Sequence, residues 1–189
     1  FPYTKQHTTV IPPYFPVYFR KPVTAKKMIV NLITSNKDDV NRIIKPFYWQ
    51  YPLYSFISFR DLRGFPRTRY AELLQEGQIT VWCDDKTPFG CSAVEALKCG
   101  NLVIGKIPDI IPEWMTDENG IWFNDINDVP ELIYKAVSTL LSDEMPEILQ
   151  KGIDAAASLY NYEDYNKKIT EFIEVMKNER ITELTKLVE

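Results

Sequence analysis

Five short runs of β-forming residues, all free of charged side chains, recur along this chain with helix-like stretches between them. They are MIVNLIT (Met28 to Thr34), YSFISF (Tyr54 to Phe59), ITVWC (Ile79 to Cys83), LVIG (Leu102 to Gly105) and GIWF (Gly120 to Phe123). A strand with apolar side chains on both faces must be covered on both faces, and strands that alternate with helices pair in parallel, each crossover helix covering one face. The pattern predicts an α/β fold: one doubly wound parallel sheet with helices on both sides. Ligands of such sheets bind at the carboxyl ends of the strands, where the chain turns into helices. Three turns therefore matter most: Thr34 to Asp38, Phe59 to Thr68, and Cys83 to Ser92.

The intervening segments carry helix signals. After the first run, Ser35 or Asn36 is placed to cap a helix whose first turn holds Asp38 and Asp39, and Pro46 is expected to bend or end it. In RTRYAELLQEG, Tyr70, Leu73 and Leu74 fall at helical spacing and Gly77 is placed to stop the helix. VPELIYKAVSTLL sets Leu132, Ala136 and Leu140 beside Ile133, Val137 and Leu141 as one apolar stripe. A further helix is expected around Glu147 to Tyr160, and another from an Asn161 cap to the end of the chain. The first two dozen residues, rich in proline and aromatics, follow neither period and look like a connecting segment.

Composition narrows the function. With 45% hydrophobic and 25% charged residues among 189, the chain has material for a core, and a formal net charge of -4 offers no global attraction to nucleic acid. The longest uncharged stretch, PFYWQYPLYSFISF, is interrupted by two prolines and a glutamine, so no membrane span is expected. Cys83, Cys91 and Cys99 form no C-x-x-C pair and the sole histidine is His7, which argues against a zinc site or disulfide framework and for thiols kept in a reducing, cytoplasmic setting. Asp84 and Asp85 read as turn residues, the four tryptophans as core, and Arg20, Lys21, Lys26 and Lys27 as a solvated basic patch. The chain opens at Phe1, and a fragment of a longer protein is expected.

The third turn and its helix hold the candidate site. Gly90 permits close backbone approach, and a helix N-terminus beginning there presents amides near Gly90, Cys91 and Ser92 to a phosphate. Further in sits one carboxylate, Glu95, between Val94 and Ala96. Burying a carboxylate is costly unless something hydrogen-bonds it, so Glu95 needs either water or a partner.

The stretch TPFGCSAVEALKCGNLVIGKIPDIIPEWMTDENGIWF resembles the donor-binding domain of group 1, family 4 type, retaining glycosyltransferases of the GT-B fold. The resemblance rests on Phe89-Gly90, Glu95-Ala96, Cys99-Gly100, Val103-Ile104, Pro112-Glu113 and Asn119-Gly120. Tyr162-Glu163 stands at a late aromatic-acid pair, and Val10 to Phe15 looks like the entry link. It implies a single Rossmann-like domain, one half of a GT-B enzyme, with residues 1–26 as interdomain linker, 27–160 as the nucleotide-sugar-binding domain and 161–189 as helices packing toward a missing N-terminal acceptor domain.

The implied activity is hexosyl transfer, with retention, from a nucleotide-sugar substrate to a glycan or lipid acceptor in polysaccharide biosynthesis. No cofactor or metal is implied. The isolated domain would be inactive, and peripheral membrane contact by the intact enzyme stays open. By resemblance Glu95 accepts hydrogen bonds from the ribose diol, with Phe89, Gly90, Cys91 and Ser92 lining the donor. The family's other motif glutamate is replaced by Thr87, and its diphosphate-binding arginine and lysine have no clean counterpart; Lys37, Arg60 and Arg63 are the chemical substitutes. The replacement at Thr87 opens one alternative, a degenerate non-catalytic nucleotide- or glycan-binding domain; a second alternative is another GT-B-like sugar-nucleotide enzyme such as an epimerase, against which the single histidine, His7 in the linker, argues.

Overall fold

The computed structural model describes residues 11, 13–84, 89–142 and 147–186. Five strands, β1 (Lys27–Ile33), β2 (Ser58–Asp61), β3 (Gly77–Trp82), β4 (Leu102–Lys106) and β5 (Ile121–Phe123), form one sheet in the order β2-β1-β3-β4-β5. Every pairing is parallel, with Val30 beside both Phe59 and Ile79, Val81 beside Ile104, and Gly105 beside Trp122. The helices are α1 (Lys37–Gln50), α2 (Arg67–Glu76), α3 (Cys91–Lys98), α4 (Val129–Leu140), α5 (Glu147–Ser158) and α6 (Tyr162–Lys186). The core runs through the middle of the sheet: Val30, Leu32, Ile79, Val81 and Ile104 are all buried, joined by Ile43 and Phe47 from α1 and by Ile133 and Val137 from α4.

The chain divides into two units. Pro16–Leu159 holds the sheet and α1 to α5. The other unit combines the segment up to Phe15 with Tyr160 onward; within it Tyr14 packs its ring against Tyr162 and Tyr165, Phe15 meets Tyr160, and Asn161 caps α6 by accepting from the Asp164 amide at 2.8 Å.

Of the two candidate caps, Asn36 is the one α1 uses, its side chain accepting from the Asp38 amide at 3.0 Å. Other local expectations are corrected. The helix does not end at Pro46 but runs through it to Gln50. An interior proline costs roughly 3 kcal/mol, whereas Ile43 and Phe47 on either side of it are fully buried and each contributes about 1.5–3 kcal/mol. Burial wins. The second strand starts only at Ser58, because Pro52 opens a tight 3-10 turn (Pro52–Tyr54), and the Ile57 amide is bonded to the Tyr54 carbonyl at 3.0 Å rather than to a strand. Trp49 is 83% exposed, unlike the other tryptophans, since it faces away from the side of α1 that Ile43 and Phe47 bury. On α4 the buried stripe is Val129, Pro130, Ile133, Ala136 and Val137, while Leu141 lies exposed past the helix end.

Helix α2 ends at Gly77, but in extended geometry (φ -85°, ψ 154°), so β3 begins at once and no left-handed cap forms. Side chains serve its last carbonyls, alongside the Gly77 amide, which donates to the Leu73 carbonyl. Asn31 Nδ2 and Arg60 Nη1 donate to the Leu73 carbonyl, each at 3.4 Å; Asn101 Nδ2 at 3.0 Å and Lys26 Nζ at 3.1 Å donate to Leu74; Lys26 Nζ also donates to Gly77 at 2.7 Å. Lys26 is therefore a half-buried helix cap and not a solvated patch residue, and burial lowers its pKa to about 8. Asn101 also donates to the Ala96 carbonyl at 3.0 Å, clamping the ends of α2 and α3 together. Asn101→Ala should lower stability by about 1 kcal/mol by removing two buried hydrogen bonds, since Lys26 and the backbone amide at position 101 still serve the two carbonyls, read as a drop in the urea midpoint with unchanged m-value.

Candidate functional site at the carboxyl edge of the sheet

Strand order reverses between β1 and β3, so the crevice of a doubly wound sheet opens above their carboxyl ends. There the Cys83 amide donates to the Ile33 carbonyl at 2.8 Å, holding the first and third turns side by side. The turn after β3 runs into α3 through Gly90, whose backbone is left-handed (φ 57°, ψ 36°). A Cβ at Gly90 would lie 2.8 Å from the Trp114 ring and 3.3 Å from Trp82, so two buried tryptophans as well as the turn require glycine here. Trp114 Nε1 donates to the Phe89 carbonyl at 2.9 Å and fixes the approach to the helix. The amides of Ala93 and Val94 both return to the Gly90 carbonyl, leaving Cys91 and Ser92 in the first turn, ahead of the helical ladder. Thr87 and Asp85 lie outside the described residues.

Glu95 lies one turn into α3 and is only 3% exposed. Its partner in this structure is Arg67, the first residue of α2, whose Nη2 donates to Glu95 Oε1 in an ion pair. The two ends are unequal: the Glu95 side chain is 4% exposed and the Arg67 side chain 57%. The Arg67 guanidinium also sits over the Phe19 ring, 5.3 Å from its centroid. Burial pushes the Glu95 pKa up to about 7, and Arg67 opposes that shift without cancelling it. Tyr70 lies alongside. Its hydroxyl is buried without a well-formed hydrogen bond, it interacts electrostatically with Ser92 and Glu95, and burial raises its pKa. Burial followed by the Glu95 charge also raises the Cys91 thiol, the opposite of what a nucleophile needs.

The three substitute cations are placed differently. Arg60 points back along α2, pairing with Glu76 at 3.0 Å and reaching the Leu73 carbonyl. Arg63 is held by Asp61 of its own turn, and that hydrogen bond first of all lowers the Asp61 pKa. Lys37 is exposed at the start of α1 and also lowers the Asp61 pKa through its charge. Arg67, which the sequence reading passed over inside RTRYAELLQEG, is the cation that meets Glu95. The available signal was its position at the first turn of a helix following a strand, at the same edge as Gly90. Among the described residues no group of three or more histidine, cysteine or acidic side chains could hold a metal ion, and no helix is long and apolar enough to cross a membrane.

No protein-family profile and no curated protein sequence matches the chain. Solved structures do match it. Anabaena HepE, solved with UDP and glucose, superposes with a TM-score of 0.64 at 14% identity, over 88% of this chain and 56% of that one. The fold is the Rossmann-like half of GT-B glycosyltransferases. TarM of S. aureus has this half too, with a TM-score of 0.62 at 13% identity over 84% of this chain and 37% of TarM. The C-terminal domain of the group 1 glycosyltransferase LpcC from Francisella tularensis matches at 18% identity with a TM-score of 0.54, over 77% of this chain and 97% of that domain. The chain thus spans about half of HepE and less of TarM, but nearly all of the LpcC domain.

Burial raises the pKa of the Glu95 carboxyl from its ordinary 4.5 to about 7 in the folded chain, which therefore holds an extra proton between those values. The stability this group supplies is complete below pH 4.5 and falls away as the pH rises to about 7. Glu95→Gln should leave the Tm unchanged near pH 4.5 and raise stability by up to about 3 kcal/mol above pH 7. A lower Tm for the variant at pH 8 would show instead that the ion pair with Arg67 is net stabilising.

Proposed function

We propose that the chain is the donor-binding half of a retaining, group 1 type hexosyltransferase, acting with an acceptor-binding domain elsewhere in its protein on a glycan or lipid acceptor. The observation that supports this most is a buried carboxylate, Glu95, one turn beyond a glycine-entered helix N-terminus at the switch point of a parallel sheet. A vicinal diol offers two hydroxyl donors, and a carboxylate oxygen pair is acceptor-only, so a ribose satisfies Glu95 without leaving a donor unpaired. The diphosphate then lies over the Gly90, Cys91 and Ser92 end of α3, with Phe89 flanking it and Lys37 at the same edge, while Arg60 and Arg63 keep their pairs with Glu76 and Asp61. Helix dipole and cations stabilise the departing nucleoside diphosphate as charge develops on it, which is electrostatic catalysis. HepE and the pneumococcal O-GlcNAc transferase GtfA were solved with UDP, which makes UDP the first ligand to test.

The decisive measurement is calorimetric titration of UDP into the chain and into Glu95→Gln. Losing a charged acceptor weakens bonds worth about 1.5–3 kcal/mol, so the Kd should rise about tenfold or more. Unchanged affinity would remove Glu95 from the site. The chain alone should bind UDP-sugar yet form no glycoside, because the acceptor cannot be held against the donor; turnover to a glycoside by this chain alone would refute the two-domain reading. A second reading, a binding domain without catalysis, is favoured by the hydroxyl of Thr87 where the related motif carries a carboxylate. Restoring the acid in the whole protein, Thr87→Glu, separates the two: transfer that appears only in the variant identifies the wild type as a binding domain.

A further inference from the structure

We propose that Arg67 is an exchangeable partner of Glu95, pairing with it in the empty site and turning to the ligand's diphosphate when a nucleoside diphosphate takes Glu95 over. This rests on the donor-binding reading above and adds to it the cation that Lys37, Arg60 and Arg63 do not jointly supply.

Four observations carry it. Glu95 is acceptor-only and buried, and its ion-pair partner occupies Oε1, so a ribose diol and Arg67 compete for the same carboxylate. Arg67 is free to move in a way that Glu95 is not. More than half of its side chain is exposed, it stands at the open first turn of α2, and the opposite end of that helix is clamped by Asn31, Lys26 and Asn101.

The distance suits the exchange. Glu95 follows the first residue of α3 by four positions, roughly 6 Å along the helix, and the Arg67 charge is already felt at Cys91 in that first turn. An arginine side chain covers that distance by rotation about its own bonds. Finally, Arg60 and Arg63, the arginines offered at the end of β2 and in the turn after it, are already held by carboxylates outside the site, Arg60 by Glu76 at the far end of α2 and Arg63 by Asp61 of its own turn. Arg67 alone of the three has a carboxylate that a nucleotide would reclaim, and its planar fork matches a phosphate. The Phe19 ring lies against the guanidinium face, and the buried Tyr70 hydroxyl lies within electrostatic range of the Glu95 carboxylate.

The exchange makes opposite predictions for ligands with and without phosphate. In Arg67→Met the competitor for Glu95 is gone, so uridine should bind several-fold tighter. UDP loses its cation, so the UDP-to-uridine affinity ratio should fall tenfold or more. Arg67→Lys should recover part of the ratio. Because Arg67→Met leaves Glu95 unpaired and can lower the Tm above pH 7, the double variant Glu95→Gln/Arg67→Met is measured beside Glu95→Gln. There the gain for uridine should vanish while the loss of ratio remains.

An unchanged UDP-to-uridine ratio in Arg67→Met would overturn the exchange while leaving the donor-binding reading intact. A reduced ratio with no tightening of uridine would leave a fixed phosphate contact and overturn the competition. A wild-type chain that binds neither UDP nor uridine would remove the donor-binding reading and the proposal with it.

Discussion

A parallel sheet whose central strands are apolar on both faces has no side to give to water. In β1 and β3 the residues Val30, Leu32, Ile79, Val81 and Trp82 are all buried. Helices must therefore cover both faces, and each must return the chain to the same starting edge. Everything functional in this chain follows from that return. Every strand ends at one edge, so the turns after β1, β2 and β3 converge there without any contact designed to gather them. Reversal of strand order between β1 and β3 then parts two of those turns and opens a crevice.

The cost of that arrangement is visible at Glu95. Helix α3 is enclosed on most sides, with Ala93, Val94, Ala96 and Leu97 all buried around Glu95, so its carboxylate is desolvated. Pairing with one exposed arginine returns only part of the lost hydration, which is why the carboxyl titrates so far above its ordinary range. A group held in this state binds strongly to whatever restores two good donors. Preorganisation comes from the opposite end of α2, where Lys26, Asn31 and Asn101 tie down the carbonyls that an ordinary glycine cap would have left to water.

The parallel sheet, all five strands and the entry of α3 at Gly90 were legible from local pattern, because charge-free β-forming runs and glycine-ended helices are signals within a few residues. Misplaced elements came from competition between local and tertiary terms. Pro46 carries a breaker's signature, yet Phe47 is anchored among Tyr48, Tyr51 and Phe59, contacts that a sequence reading does not see. Tyr54 to Phe56 has strand composition but is consumed by a turn that Pro52 starts. At the site, the need of Glu95 for a partner was readable from its apolar neighbours. Arg67 was not, because the pairing spans two helices and twenty-eight positions. Lys26 was hidden for the same reason: a lysine in a basic run reads as solvated until the carbonyls it caps are known.

The far edge of the sheet is built on a different principle. Strand β5 is three residues long and keeps its place through Trp122, whose ring lies where side chains at Gly105 and Gly120 would be, 2.6 Å and 2.4 Å from their ideal Cβ positions, and whose Nε1 donates to the Thr116 carbonyl at 2.6 Å. Trp122 on one face and the buried Phe123 in the core on the other thus hold an edge that has only three residues of backbone pairing. A three-residue border strand paired on one side is the place where local opening is expected first, and its amides should exchange faster than those of β1 and β3. The sheet therefore grades from a lightly held margin at β5 to a central pair, β1 and β3, that the core encloses on both faces.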